Sequence, residues 1–282
     1  MDDVRQIIQA MLYESRPPWP ADRYPWAVGG LHPEPYGRAH DGHPWRMQTQ
    51  CLVEAAPADT VDVHVRFLHV VTREVARARG GELEPVAELL VDGERHLAGQ
   101  EAREREEAVS GLELATLARQ PRVMEIDVPA DQEAGWLVGA TGPAGAVLRC
   151  WEALRGRVEV GAEALCPGLF RLTVVVANTT GCRADLRAEA WKRTFVSAHS
   201  VVRTRSGRFV SLLDPPDHLR PPAQACRNIG TWPVLVGREG ERHTMLAAPI
   251  VLHDHPDIPG SSSGSAPSAR PGLHPITPGR WR

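Results

Sequence analysis

A regular alternation of apolar and polar side chains begins at Val61 and constrains the fold of this 282-residue chain more than any other feature. The alternation is unbroken to Phe67 and continues, after one change of phase, to Val71. A period of two places the apolar side chains on one face of a β-strand, and the change of phase is typical of a bulge. Residues 61–71 are therefore predicted to be a half-buried strand, with His64 and Arg66 facing solvent or a partner.

Turn signals join further strands into hairpins. Asp92-Gly93 favours the positive φ values of a two-residue hairpin turn. Pro167-Gly168 and Ser206-Gly207 separate two later pairs of apolar segments. The resulting predicted strands and hairpins are residues 47–54, 88–97, 123–128, 158–176, 200–213 and 234–236.

Helix signals are few. Asp185 is a suitable N-cap, and the residues after it favour a helix over 185–196. An amphipathic helix is predicted over 4–13 and a helical turn over 112–117. The mixed charge run at 101–107 fits a solvated helix or the end of a strand.

Three segments are predicted to lack regular structure. Residues 130–148 are rich in Gly and Ala and are predicted to be a connector. Residues 17–45 carry too many aromatic side chains for a disordered arm, so we expect them to pack across the domain. The Ser/Pro/Gly-rich residues 259–282 are predicted to be a disordered tail.

These elements predict a mainly β, α+β fold: an antiparallel β-sandwich with one or two packed helices. A doubly wound parallel sheet would require a stronger alternation of strands and helices. We expect residues 1–258 to form a single β-rich domain, whose two sheets correspond to the halves 44–128 and 150–256.

Composition narrows the class of protein. The 32 Lys and Arg residues nearly balance 35 Asp and Glu residues, which gives no basic footprint for nucleic acid. Arginine supplies all the basic residues except Lys192, and with the Ala, Gly and Pro content this indicates a GC-rich bacterial genome. Five dispersed cysteines without a CxxC pair argue against a disulfide framework. Without a signal peptide or an apolar run of membrane-spanning length, the sequence predicts a cytoplasmic protein with no membrane span.

The densest concentration of chemically versatile side chains lies in residues 226–256. We expect a loop that places Cys226, Arg227, Asn228 and Trp232 near a sheet end, where they contact a partner or ligand. A buried strand over 234–236 follows. Residues 245–252 are predicted to be an edge strand or an irregular segment, because Pro249 interrupts them.

A metal site is an alternative use of the same region. On an extended chain His253 and His255 share one face, about 7 Å apart at their backbones. His243 or Cys226 is the candidate third ligand, for zinc or nickel. For Cys226 itself, a small buried thiol competes with a nucleophile. His32, His40 and His43 are either loop histidines or further ligands.

Three segments resemble an uncharacterised bacterial family encoded beside nickel–iron uptake hydrogenases. They are residues 44–54, 209–216 and 226–256, and the likeness covers about residues 20–258. It implies a non-catalytic accessory or assembly protein with a hydrogenase subunit as partner, and it supplies no catalytic residue. Family members continue past Pro256 with an acidic, apolar-patterned extension, where this chain has a Ser/Pro/Gly tail, as a truncated or frame-shifted reading would produce.

Three functional hypotheses remain open. The first is the accessory protein, which acts through a partner-binding surface and not as an enzyme. The second is a metal-dependent enzyme or metal carrier that uses His253 and His255. The third is a small-molecule-binding β-sandwich, in which Trp45 and Trp232 contact the ligand.

Overall fold

Antiparallel strands make up most of the computed structural model, which describes residues 2–9, 29–140 and 142–256. In chain order the strands are β1 (Gly30–Leu31), β2 (Arg46–Glu54), β3 (Thr60–Arg79), β4 (Glu82–Val86), β5 (Glu88–Val91), β6 (Glu94–Leu97), β7 (Gly99–Glu113), β8 (Arg122–Val128), β9 (Asp131–Gly139), β10 (Gly142–Trp151), β11 (Leu154–Cys166), β12 (Leu169–Asn178), β13 (Phe195–Thr204), β14 (Arg208–Val210), β15 (Trp232–Leu235) and β16 (Thr244–Ala248).

The strands form two large sheets and one separate hairpin. Sheet A has the order β15-β16-β13-β3-β10-β9; β1 also pairs with β13, and β4 and β7 pair with β3. Sheet B has the order β14-β2-β12-β11-β8, and β5 and β6 pair with each other. Helices are short: α1 (Asp2–Ile8), α2 (Glu34–Ala39), α3 (Leu114–Arg119), α4 (Arg187–Lys192) and α5 (Arg220–Gln224), which follows a 3-10 turn at Asp217–Leu219.

The main core lies between the two sheets. The fully buried rings of Phe67 on β3 and Phe195 on β13 stack with centroids 4.3 Å apart. Alternate valines of β3 join them, and Leu154, Leu172 and other apolar side chains of sheet B close the core from the opposite side. The predicted antiparallel β-sandwich is confirmed. Its sheets do not correspond to the halves 44–128 and 150–256, because β3 and β13 share sheet A while β2 and β12 share sheet B.

Strand β3 is twenty residues long and divides sheet A into two ends. In the sandwich end, its first half lies between β7 and β13 and packs on sheet B. In the distal end, its second half lies between β4 and β10, with β9 beyond β10. There Val75 and Val147 pack on Leu89 and Val91 of the β5–β6 hairpin, so this hairpin covers the inner face.

Two hairpins follow the sequence closely. Asp92 and Gly93 have φ values of 48° and 85°, as the predicted two-residue turn requires. Gly168 has a φ of 81° at the turn between β11 and β12, which form the predicted hairpin with Val160 opposite Val174.

The predicted helix over 185–196 was wrong at its C-terminal end. Helix α4 ends at Lys192, and Phe195 already belongs to β13. Burial of Phe195 against Phe67 stabilises the strand more than helix propensity stabilises the helix. Asp185 forms an ion pair with Arg183, and the helix has no side-chain cap.

Two further predictions were wrong: the edge position of residues 245–252 and the hairpin over residues 200–213. Strand β16 lies between β15 and β13 and is not an edge, because it ends before Pro249. Segments 200–205 and 208–213 do not form a hairpin, since β13 belongs to sheet A and β14 to sheet B. Gly207 carries the chain between the sheets, where an added Cβ would lie 3.1 Å from the Val53 side chain.

The predicted connector at 130–148 is a hairpin of β9 and β10, and the charge run 101–107 lies inside β7. The charges of β7 are used within the sheet, as in the ion pair of Arg66 and Glu106. Residues 17–28 of the aromatic arm, the C-terminal part of the 4–13 helix and the 259–282 tail lie outside the described residues.

Candidate functional site

The loop of residues 226–233, which was predicted to contact a partner or ligand and which we call the contact loop, is attached to sheet B. Its backbone lies beside β2 just beyond the end of β14, and Gln48 and Ile229 exchange backbone hydrogen bonds of 3.0 and 2.9 Å. The Asn228 Oδ1 accepts a 2.7 Å hydrogen bond from the Gln50 N–H, and the Arg227 N–H donates to the Gln50 side chain at 2.8 Å. Asn228 therefore replaces a strand carbonyl at this edge, which is a structural use of its amide.

Cys226 lies half-buried in a small apolar cluster around Leu52 and Leu219. Its Sγ lies 3.6 Å from the Pro222 carbonyl oxygen. Burial raises the pKa of the Cys226 thiol, and the nearby Arg171 offsets only part of that effect. The thiol is thus held protonated, which is the opposite of what a nucleophile requires.

The two predicted tryptophan contacts belong to different elements. Trp232 begins β15 and pairs with Ala248 of β16. Trp45 precedes β2 and lies between two arginines: the guanidinium carbons of Arg38 and Arg46 are 4.8 and 5.3 Å from its ring centroid. Its carbonyl oxygen accepts a 2.9 Å hydrogen bond from the Asn178 N–H. The indole side chains of Trp45 and Trp232 are both partly exposed.

The His253-Asp254-His255 segment is not extended, as the metal hypothesis assumed. The chain bends at residues 254–255, and His255 has a φ of 52°. Asp254 accepts hydrogen bonds from the Leu235 N–H, at 2.7 Å, and from the Ser211 hydroxyl. The His255 N–H donates to the Leu235 carbonyl at 2.8 Å. This segment fastens the end of β15.

The histidines of the metal hypothesis are used separately. The Nδ1 of His243 lies 2.9 Å from the Gly207 carbonyl oxygen, and the Nδ1 of His255 lies 3.3 Å from that of Gly237, while His253 is exposed. Across residues 2–9, 29–140 and 142–256, no group of three His, Cys, Asp or Glu side chains is placed to hold a metal. The predicted three-ligand set is therefore not assembled.

The N-terminal histidines form an aromatic cluster. Tyr36 stacks on His40 with centroids 4.1 Å apart, and the His43 Nδ1 lies 3.3 Å from the His32 Nε2. Burial, together with His43 and Arg187, lowers the pKa of His32 to about 4. This cluster packs the segment that leads into β2, and the His32 imidazole stays uncharged near neutral pH.

The sequence did not identify the most exposed apolar surface, which lies on the outer face of the distal end. Because Val75 and Val147 face the hairpin, the residues that alternate with them face away from it. Trp136, Ala146, Ala76 and Pro85 are paired in a row across β9, β10, β3 and β4. We call this row and its neighbours the distal apolar face; the neighbours are Ala78, Leu83, Ala134, Val138 and Leu148.

Its largest side chains are open to solvent. Trp136 and Val138 are 67% and 66% exposed, and Leu83 is 45% exposed. Single exposed apolar side chains are ordinary, whereas a contiguous apolar area around a tryptophan is typical of an interaction site. β9 is also an edge strand, since it pairs with β10 alone among the described strands.

A cleft of about 410 Å³ adjoins this face. Its floor is a second row across the sheet, formed by Gln132, Cys150 and Thr72. Lys192, at the end of α4, is also part of the lining. Three acidic residues and three apolar residues make up the rest: Glu74, Asp131, Glu152, Val70, Ala130 and Trp151. Burial raises the pKa of the Cys150 thiol, and Glu74 adds to that effect while Lys192 opposes it.

A weak signal for this surface was present in the sequence. The run Trp136-Leu137-Val138 lies between Gly135 and Gly139, and glycine content alone suggested a connector. In the structure those glycines belong to β9. A Cβ added at Gly139 would lie 3.3 Å from the side chains of Asp92 and Val91. The three consecutive strand-forming residues indicated a β-strand and were a better guide to this segment than its glycine content.

The fold defines an antiparallel β-sandwich protein whose longer sheet extends past the shorter one. No protein-family profile matches the chain, and no curated protein is significantly similar to it. Among the helices that the structure describes, none has the length and apolar character needed to cross a bilayer.

Proposed function

We propose that this chain is a non-catalytic accessory protein that binds a partner protein through the distal apolar face. The observation that carries the proposal is the exposure of Trp136 and Val138, at 67% and 66%, on a sheet face lined by small apolar side chains. Tryptophan is enriched among the residues that dominate protein interfaces, and a flat surface of alanines lets a partner approach closely.

The partner that the sequence resemblance favours is a subunit of a nickel–iron hydrogenase, in the bacterial cytoplasm. An accessory role agrees with the use of the side chains in residues 226–256. Asn228 and Asp254 are engaged in hydrogen bonds that hold the fold, and the Cys226 thiol has a raised pKa.

A matched pair of valines tests the proposal. Val138 and Val251 are 66% and 63% exposed, and only Val138 lies on the distal apolar face. Full-length protein carrying Val138→Ser or Val251→Ser is expressed in its native cell, cross-linked and recovered with its partners. We expect Val138→Ser to reduce partner recovery at least about fivefold, while Val251→Ser leaves it unchanged.

Equal recovery by the two variants would place the partner elsewhere on the molecule. Recovery of no stable partner by the unaltered protein would refute the accessory role itself. Recovery of a hydrogenase subunit would support the suggested partner. Recovery of a different protein would rule out the hydrogenase subunit and identify that protein as the partner.

Small-molecule binding is a second candidate, favoured by the cleft beside the face. Its volume of about 410 Å³ lies within the range of known ligand sites. About half of its lining is polar, whereas such sites are mostly apolar. Thermal shift of the full chain against a panel of metabolites tests this alternative, and a shift that Cys150→Ser or Gln132→Ala abolishes would support it.

A further inference from the structure

The open edge of β9 is a place where another strand can be added. β9 has nine residues and contains neither Pro nor Lys, two residue types that protect natural sheet edges. Most of its residues are exposed, and within the described chain it pairs with β10 alone. Its outward N–H and C=O groups can hydrogen-bond an extended segment of another protein.

The side chains beside that edge change in character along the strand. At the start of β9, Gln132 borders the cleft on the outer face, and Glu74 lies on that same face. The side chain of Asp131 alternates to the other face, where it interacts with Arg103. Glu74 forms no ion pair with another described residue, and Glu152 shares the Arg193 guanidinium, at 3.0 Å, with Glu189. Toward the end of β9, Trp136 and Val138 present apolar surface.

The cleft favours a cation. Two lining carboxylates, those of Glu74 and Glu152, act on the Cys150 thiol together with one ammonium, that of Lys192. The Arg193 guanidinium that pairs with Glu152 is shared with a second glutamate, so acidic groups are in excess around the cleft. Apart from burial, which raises it most, the pKa of the Cys150 thiol is raised by Glu74 and lowered by Lys192, and the effect of Glu74 is the larger of the two. A guanidinium or ammonium group from a partner would restore the local charge balance, and an added carboxylate would worsen it.

We propose that β9 accepts an extended partner segment that carries a basic side chain for the cleft and an apolar side chain for Trp136. Gln132 and Trp136 are four residues apart on the same face, a distance of about 13 Å along a strand. The segment therefore presents its basic and apolar side chains four positions apart. This inference rests on the proposed function and specifies how the partner is recognised.

A peptide selection tests it. Full-length protein is used to select from a phage-displayed library of random peptides about twelve residues long, with the Trp136→Ser protein as the counter-selection. We expect enriched peptides in which Arg or Lys lies four positions from an apolar residue. In the Glu74→Gln variant the preference for a basic residue should fall at least about fivefold, with the preference for an apolar residue kept.

Backbone pairing is measured separately on a selected peptide. Amide hydrogen exchange of β9 should slow when the peptide is bound to the full chain, because strand addition occupies the edge. A proline at the centre of the peptide should reduce its affinity at least about tenfold, since proline removes a strand hydrogen bond.

Several results would overturn the inference. One is the same set of peptides selected by the Trp136→Ser protein; another is enrichment without a basic residue, or no enrichment. A dimer of the purified chain that Trp136→Ser dissociates would show that a second copy occupies the edge. If native-cell recovery still depends on Val138 in any of these cases, the proposed function stands and only this mode of recognition fails.

Discussion

The sandwich and the distal end of sheet A use their polar and apolar side chains in opposite ways. In the sandwich, side chains that look functional in the sequence hold the fold together: Asn228 completes an edge of sheet B, and Asp254 fastens β15 of sheet A. In the distal end, Trp136 and Val138 remain exposed on a sheet face that the described chain does not cover. The segment with the most varied polar side chains therefore uses them in hydrogen bonds that hold the fold. The candidate binding surface is instead formed by one tryptophan, small residues and an open strand edge.

Acid should destabilise the sandwich end most strongly. Burial is the largest cause that lowers the pKa of His32, His69 and His199 from 6.5 to about 4. Between pH 6.5 and 4 the unfolded chain then binds more protons than the folded chain. Stability is therefore complete above pH 6.5 and is lost as the pH falls toward 4, by on the order of 2 kcal/mol for each histidine at pH 5.

Urea unfolding at pH 7 and pH 5 measures this effect. The Trp136→Ser protein serves as the control, because its substitution lies in the distal end, and it should show the same loss. An unfolding free energy that does not change between these pH values would mean that the three imidazoles are not buried in the neutral form.

Removing the Asp254 carboxylate is the next largest effect. Asp254→Ala leaves the Leu235 N–H, in a residue 3% exposed, without its acceptor, and it frees the Ser211 hydroxyl. We expect a loss of about 2–3 kcal/mol in the free energy of unfolding. Exposed His253, changed to Ala, is the neighbouring control and should cost less than about 0.5 kcal/mol. A neutral Asp254→Ala substitution would contradict a structural role for this segment.

Asn228→Ala tests the attachment of the contact loop. The substitution removes the oxygen that accepts the Gln50 N–H, and we expect it to cost about 1–2 kcal/mol in unfolding free energy. In Arg227→Ala the backbone hydrogen bonds to Gln50 and Gln48 persist, so the loss should stay below about 0.5 kcal/mol. The opposite order of the two variants would make the loop a binding element held by its arginine.

Trp136→Ser should have the smallest effect on stability and the largest on binding. The side chain is 67% exposed, so its removal should change the unfolding free energy by less than about 0.5 kcal/mol. Partner recovery from the native cell should nevertheless fall as it does for Val138→Ser. A stability loss above about 2 kcal/mol would show that Trp136 supports the fold instead.

The sequence predicted the fold well wherever local signals and burial agree. The alternation at 61–71 became the first half of β3, and the Asp92-Gly93 turn formed as expected. Predictions failed where distant packing decides the structure. Phe195 leaves a helix-favouring segment because its ring stacks on Phe67, more than a hundred residues away in the chain.

The candidate site was less predictable than the fold. Residue types such as Cys226, Asn228 and His255 suggest chemistry, but the sequence does not reveal which of them a neighbouring strand will engage. Exposure of Trp136 depends on the pairing of β9 with β10 and on the hairpin that covers only the inner face. Neither pairing nor cover can be read from a Gly-rich segment.

Amide hydrogen exchange of the full chain, alone and with the partner recovered from its native cell, tests the central claim most directly. We expect the partner to slow exchange in β9 (Asp131–Gly139) and to leave residues 226–236 unchanged, because the second segment is already fixed to the fold. Protection of residues 226–236 with none in β9 would contradict the account.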